Sequence, residues 1–253
     1  MKEELYTIPL NDAVHAEDEC AFCFIERMVE QDLMDYCLGS GSSYMQADMR
    51  DKTDEAGFCR RHYHAMLDYG NTLGNAWILK THTKRVLAEY RDAAKSFRPG
   101  KVSLADRLSG KKEGDNAIVK WVKRRTGSCY ICGEFEKTYD RYLSTFFYLW
   151  KEDSAFRETV LKGKGFCLPH FGDLMAAAER NLSGSELQEF CDRMIDLTER
   201  NLERIHEDVA WLVEKFDYKN KDADWKNSRD ALPRTMQKLQ GGHPADPPYK
   251  SAK

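Results

Sequence analysis

A chain of 253 residues with 42% hydrophobic and 32% charged side chains can bury one large core or two of ordinary size, and its composition is that of a water-soluble globular protein. Its 39 basic and 42 acidic residues leave a net charge of −3, which excludes a global field drawing it to nucleic acid or an anionic membrane; either would need a local patch. The acidic opening Met1-Lys2-Glu3-Glu4 is unlike a secretory signal, and no run approaches the roughly 18 apolar residues of a membrane span. A cytoplasmic location is therefore expected, where cysteines are reduced and free to bind metal.

Few prolines and long stretches rich in Glu, Lys, Arg, Leu and Ala predict an all-α fold. Residues 1–17 read as an extended arm, with Tyr6, Ile8 and Leu10 alternating. From Asp18 the period becomes helical through Phe22, Ile25, Val29, Leu33 and Tyr36, and Gly39 stops it. A short helix is expected over 44–52. Another starts at Cys59 and ends at Tyr69 before Gly70-Asn71, and a longer one spans Thr72 to Ala94 with Leu73, Trp77, Leu87 and Tyr90 on its buried side. Pro99, Gly100, Gly110 and Gly114 mark a linker.

A basic helix over Asn116 to Arg125 leads into a helix from Cys129 to Trp150, whose stripe Phe135, Tyr139, Tyr142, Phe146 and Trp150 reads as core. A short helix over 153–162 follows, then one from Cys167 to Asn181. A long helix runs from the Ser183 cap to Phe216, with Leu187, Phe190, Met194, Leu202, Ile205, Val209, Leu212 and Phe216 as its seam. Asp230 can cap a last helix with Leu232, Met236 and Leu239 on its apolar side.

The two halves carry matching motifs. Cys20-Ala21-Phe22-Cys23 and Cys59-Arg60-Arg61-His62 are answered by Cys129-Tyr130-Ile131-Cys132 and Cys167-Leu168-Pro169-His170, with 35 and 34 residues between the paired motifs. Gly57-Phe58-Cys59 is repeated as Gly165-Phe166-Cys167. The expected layout is two tandem duplicated helical modules: a first module over 1–100, a linker over 101–116, and a second module over 117–217. A C-terminal extension over 218–242 and a disordered tail over 243–253 follow.

Three thiolates and an imidazole are a closed set for tetrahedral zinc, and CxxC or CxxH on a helix's first turn aims two donors at one ion. Each module is thus expected to be stapled by its own Cys3His site. Cys20, Cys23, Cys59 and His62 form the first, and Cys129, Cys132, Cys167 and His170 the second, giving two zinc ions per chain with an iron–sulfur cluster as the alternative. His62 is chosen over His64 because the second copy has a histidine only at the matching position, His170. Cys37 and Cys191 read as buried inert thiols, and His82 and His206 as surface or satisfied core residues.

The run Lys120 to Arg125 with Trp121, plus Lys111 and Lys112, is the one basic cluster and the one candidate nucleic-acid surface. No phosphate-cradling glycine loop, nucleophile elbow or HExxH points to an enzyme. The opening Glu4-Leu5-Tyr6-Thr7-Ile8-Pro9, the two pairs of knuckles and the closing Asn227-Ser228-Arg229-Asp230-Ala231-Leu232-Pro233-Arg234 together resemble an uncharacterised bacterial family, domain of unknown function 6062. The resemblance spans nearly the whole chain and implies a bacterial cytoplasmic origin without supplying a mechanism.

The expected function is a zinc-binding structural or interaction scaffold with a protein partner. A cysteine- or metal-centred redox sensor is the alternative, and nucleic-acid binding through Lys123, Arg124 and Arg125 the second alternative.

Overall fold

The computed structural model describes residues 4–98 and 116–242, and among these every regular element is helical, with no strand. The expected linker, apart from Asn116, and the expected tail lie outside the described residues, as do Lys111 and Lys112. None of the helices is long and apolar enough to cross a membrane.

The chain forms two compact units, and they do not follow the tandem division. One joins the chain up to Val29 to the chain from Lys137 onward; the other is Glu30–Glu136. The second unit is therefore inserted into the first, and the boundary falls inside two helices, α2 (Ala21–Leu38) and α7 (Tyr130–Glu152).

The outer unit begins with α1 (Glu4–His15), where an extended arm was expected. Tyr6, Leu10 and Ala13 recur at i, i+4 and i+7, and this helical period prevails over the alternation: Leu10 and Ala13 are buried while Ile8 is exposed. Helix α8 (Ser154–Lys162) opens on Asp153, whose carboxylate accepts from the backbone N–H groups of Ala155 and Phe156 at 2.9 and 3.0 Å. Helices α9 (Leu168–Asn181) and α10 (Gly184–Glu214) follow. The aromatic stripe of α7 forms the core: Phe146 packs edge-on against Phe147 and Phe156, with centroids 5.5 Å apart in both cases, and Phe190 packs edge-on against Trp150 at 5.0 Å.

The seam of α10 holds through Phe190, Met194 and Ile205 and fails at its end, where Phe216 is exposed. Helix α11 (Ala231–Gln240) inverts the expectation from hydropathy. Leu232, Met236 and Leu239 are 53%, 53% and 45% exposed, whereas Gln237 and Lys238 are buried.

The inner unit holds the later turns of α2, then α3 (Ala47–Ala56), α4 (Arg60–Tyr69), α5 (Thr72–Ser96), α6 (Ala117–Thr126) and the first turns of α7. Its core includes Met34, Leu38, Met49, Phe58, Met66, Tyr69, Ile78 and Ile131. On α5 the buried face is Gly74, Ile78 and His82, not the expected Leu73, Leu87 and Tyr90, which are exposed. Helices pack closest where side chains are small, and Gly74 brings α5 against the Asn71 and Leu38 side chains.

Candidate metal centres

Four helix starts position the eight donors. Cys20 and Cys129 immediately precede α2 and α7, and Cys23 and Cys132 are the third residues of those helices. Cys59 and Cys167 are the N-cap residues of α4 and α9, both with extended backbone, and neither side chain caps its helix, so the sulfurs are free to point elsewhere. His62 and His170 follow one turn on. The knuckles before them share a conformation: Gly57 and Gly165 have φ of +65° and +71°, where a Cβ is strained, and Phe58 and Phe166 are buried.

The donors gather in two clusters, each crossing the expected modules. Cys20 and Cys23 meet Cys167 and His170; Cys59 and His62 meet Cys129 and Cys132. In the outer cluster His170 Nδ1 lies 3.3, 3.5 and 3.1 Å from the sulfurs of Cys20, Cys23 and Cys167, and the Cys23 and Cys167 sulfurs are 3.7 Å apart. In the inner cluster His62 Nδ1 lies 3.3, 3.2 and 3.4 Å from the sulfurs of Cys59, Cys129 and Cys132, with Cys59 and Cys132 3.9 Å apart. A tetrahedron with arms of about 2.3 Å to sulfur and about 2.05 Å to nitrogen has edges of about 3.8 Å between sulfurs and about 3.6 Å from sulfur to nitrogen. Both clusters have dimensions that could hold one four-coordinate ion each.

The correction concerns which motif meets which. Each CxxC is partnered by the CxxH of the other half, because the chain beside the inner cluster is tied across it. Tyr130 N–H donates to the Gly57 carbonyl at 2.8 Å, Ser128 Oγ to the Ala56 carbonyl at 2.7 Å, and Arg125 Nη1 to the Glu55 carbonyl at 2.7 Å.

Each histidine turns Nδ1 to the sulfurs and Nε2 to a carboxylate of α2. His170 Nε2 is 3.3 Å from Glu26 Oε1, and His62 Nε2 is 3.6 Å from Glu30 Oε1, which also pairs with Arg61. A carboxylate placed as Glu26 is fixes the ring and raises ligand basicity, whereas the buried His62 Nε2 makes no hydrogen bond among the described residues. In the inner cluster burial opposes a charged His62, but the Cys129 sulfur and Glu30 outweigh it and push its pKa up to about 9. Burial likewise opposes a Cys129 thiolate, yet His62 and nearby backbone N–H groups draw that thiol down to about 6. Burial and the neighbouring thiols push Cys132 up to about 12. A cation entering this set displaces protons.

The two clusters differ in cover. All four outer donors are buried, while Cys59, Cys129 and Cys132 of the inner cluster are partly exposed. The outer cluster is closed by α11: a Cβ on Gly241 would lie 3.5 Å from the Cys167 sulfur and 3.8 Å from that of Cys23. Lys238, 1% exposed, donates to the carbonyls of Glu19 and Lys164 at 2.5 and 2.6 Å, and its Nζ is 3.3 Å from the Glu19 carboxylate. That carboxylate also accepts two bonds from Arg204, at 3.1 and 2.5 Å. Burial pushes the Glu19 carboxyl up, but Arg204 and Lys238 outweigh it and hold the group below its ordinary value.

The remaining candidates are placed as follows. His64 is exposed, 4.0 Å from Asp68. His82 is buried, with Nδ1 3.1 Å from the Asp54 carbonyl, and is a satisfied core histidine; His206 is exposed. Cys37 is buried in the inner core, where burial pushes its thiol up to about 12, and Cys191 is partly exposed. In the basic run, Arg125 is committed to Glu89 at 2.5 Å and to two carbonyls, and Trp121 donates to Glu89 at 3.3 Å; Lys123 and Arg124 are exposed.

Glu26, Glu30, Glu19 and Lys238 were not singled out from the sequence. Glu26 lies three residues after Cys23 and Glu30 one turn later, a spacing shared by any solvated helix face. A family model described as a family of unknown function (DUF6062) matches residues 1–246. No curated protein and no solved structure matches the chain.

Proposed function

The chain belongs to the family of unknown function DUF6062, and from the geometry of its two clusters we propose that it is a non-catalytic helical scaffold, stabilised by two zinc ions, that engages a protein partner. The observation that carries this reading is the fully buried outer cluster, in which three sulfurs and one nitrogen lie within 4.8 Å of one another, a set that would supply all four ligands of one tetrahedral ion and leave no position for substrate. Single-ion edge lengths also favour zinc over an iron–sulfur cluster, whose thiolates are spread over several metal atoms. Binding at such sites contributes on the order of 10 kcal/mol, comparable to the net stability of a domain.

A bacterial cytoplasmic setting, where thiols stay reduced, agrees with eight free cysteines. Nucleic-acid binding through the basic run is the weaker reading, since Arg125 and Trp121 already serve the inner unit. A thiol-based sensor is supported by one observation, the partial exposure of Cys59, Cys129 and Cys132.

Elemental analysis of the purified chain beside its absorption spectrum tests the proposal. Two zinc per chain and a colourless spectrum are expected, with affinity falling as pH falls because ligand thiols must lose protons. Iron with a charge-transfer band, or no metal, would overturn it.

A further inference from the structure

The two clusters share one donor set and differ in access. Cys59 of the inner cluster lines a groove of about 840 Å³, within the size range of small-molecule sites. Tyr63, Leu67, Val86, Trp121 and Val122 make its walls largely apolar, and apart from Cys59 and Tyr63 the ionisable side chains lining it, Arg60 and Arg125 among them, are basic, with no carboxylate.

The groove is graded along its length. The end of α6 that carries Arg125 is held to the Asp54 and Glu55 carbonyls, and the adjacent Ser128 is held to the Ala56 carbonyl, next to the Phe58–Cys59 knuckle. One turn back, Trp121 reaches Glu89 and Tyr90 instead. Sulfur and arginine thus share one end, and the apolar walls extend from it.

We propose that this groove delivers an apolar organic hydroperoxide to Cys59, making the inner cluster the oxidant-reactive site of the chain. The Cys59 thiolate attacks the terminal oxygen of R–O–O–H and the O–O bond breaks. The alkoxide leaves, takes a proton from solvent and departs as the alcohol, with the cationic Arg60 beside Cys59 favouring the developing negative charge. Cys59 is then a sulfenic acid. The Cys132 thiol, its sulfur 3.9 Å away, attacks the Cys59 sulfur to form a disulfide, and its proton leaves with the departing hydroxide as water. One thiolate, one thiol, one hydroperoxide and one proton give a disulfide, an alcohol and water; the hydroperoxide gains two electrons and the two sulfurs lose them. Release of the bound ion, once two of four donors are gone, rests on the metal reading above; the thiol steps do not.

The test exposes the full metal-loaded chain to cumene hydroperoxide or hydrogen peroxide at equal concentration, and follows each cysteine by mass spectrometry and metal by a colorimetric chelator. Cys59 and Cys132 are expected to oxidise first, and faster with cumene hydroperoxide, while Cys20, Cys23 and Cys167 stay reduced. Val122→Glu, at a site 42% exposed, should slow the cumene hydroperoxide reaction about tenfold and leave the hydrogen peroxide rate unchanged; Leu67→Glu on the opposite wall gives the same split if the first variant fails to fold. Oxidation starting at the outer cluster, no preference for the apolar oxidant, or equal slowing of both reactions would overturn the proposal. Metal content measured beforehand reports separately on the zinc reading, since cysteine oxidation is read whether or not metal is present.

Discussion

Each histidine in the clusters has a carboxylate near its Nε2, and such a partner tunes the strength of a metal site. Glu26→Gln keeps the shape and removes the charge facing His170 Nε2. It is expected to weaken metal binding at the outer site about 10- to 100-fold, read by competition with a chromophoric chelator; unchanged affinity would mean that Glu26 is only a surface residue. The donors themselves were legible because cysteine and histidine at three-residue spacing, written twice, have few other uses. Their pairing was not. Two CxxC and two CxxH motifs combine in two ways, both giving Cys3His, and equal spacing in the two halves makes the local combination look natural without excluding the crossed one. The choice of His62 over His64 does not depend on the pairing, and His62 stands in a cluster while His64 is exposed.

At the scale of the element, helix positions were readable and helix faces less so. The apolar periods of α2 and α7 and the glycine after α4 located those helices to within a few residues. Hydropathy failed on α5 and α11, where the buried face is built from small residues and from polar groups with specific partners, such as His82 on a carbonyl and Lys238 on two carbonyls and a carboxylate. A buried lysine is invisible to a rule that sorts residues by polarity, because its desolvation is offset by partners distant in sequence. The contrast can be measured in the metal-loaded chain. Lys238→Ala, which leaves buried acceptors unpaired, is expected to cost about 3 kcal/mol in urea unfolding, whereas Leu232→Ala at an exposed site should change stability by less than about 0.5 kcal/mol. The reverse order would mean that α11 is turned the other way.

Across the whole molecule, the all-α class and the family could be read from the chain, while its organisation into an inner unit inserted in an outer one could not. Composition reports which elements form; it carries no signal for which distant segments share a core. Crossing also lengthens the loop that the outer site closes, with Cys23 and Cys167 144 positions apart. That is about fourfold the expected local loop, adding about 1 kcal/mol to the closure entropy.

Both clusters take one CxxC or CxxH motif from before residue 98 and one from after residue 116, so on the two-ion reading two metal sites would link the chain on either side of that interval. A protease that cuts once between 99 and 115 should leave a noncovalent heterodimer riveted by two ions. It should elute from a sizing column as one species and fall apart only when a chelator is added. Halves that separated without the chelator would show that the rivets do not span the cut. If they do, two genes encoding the halves could replace one.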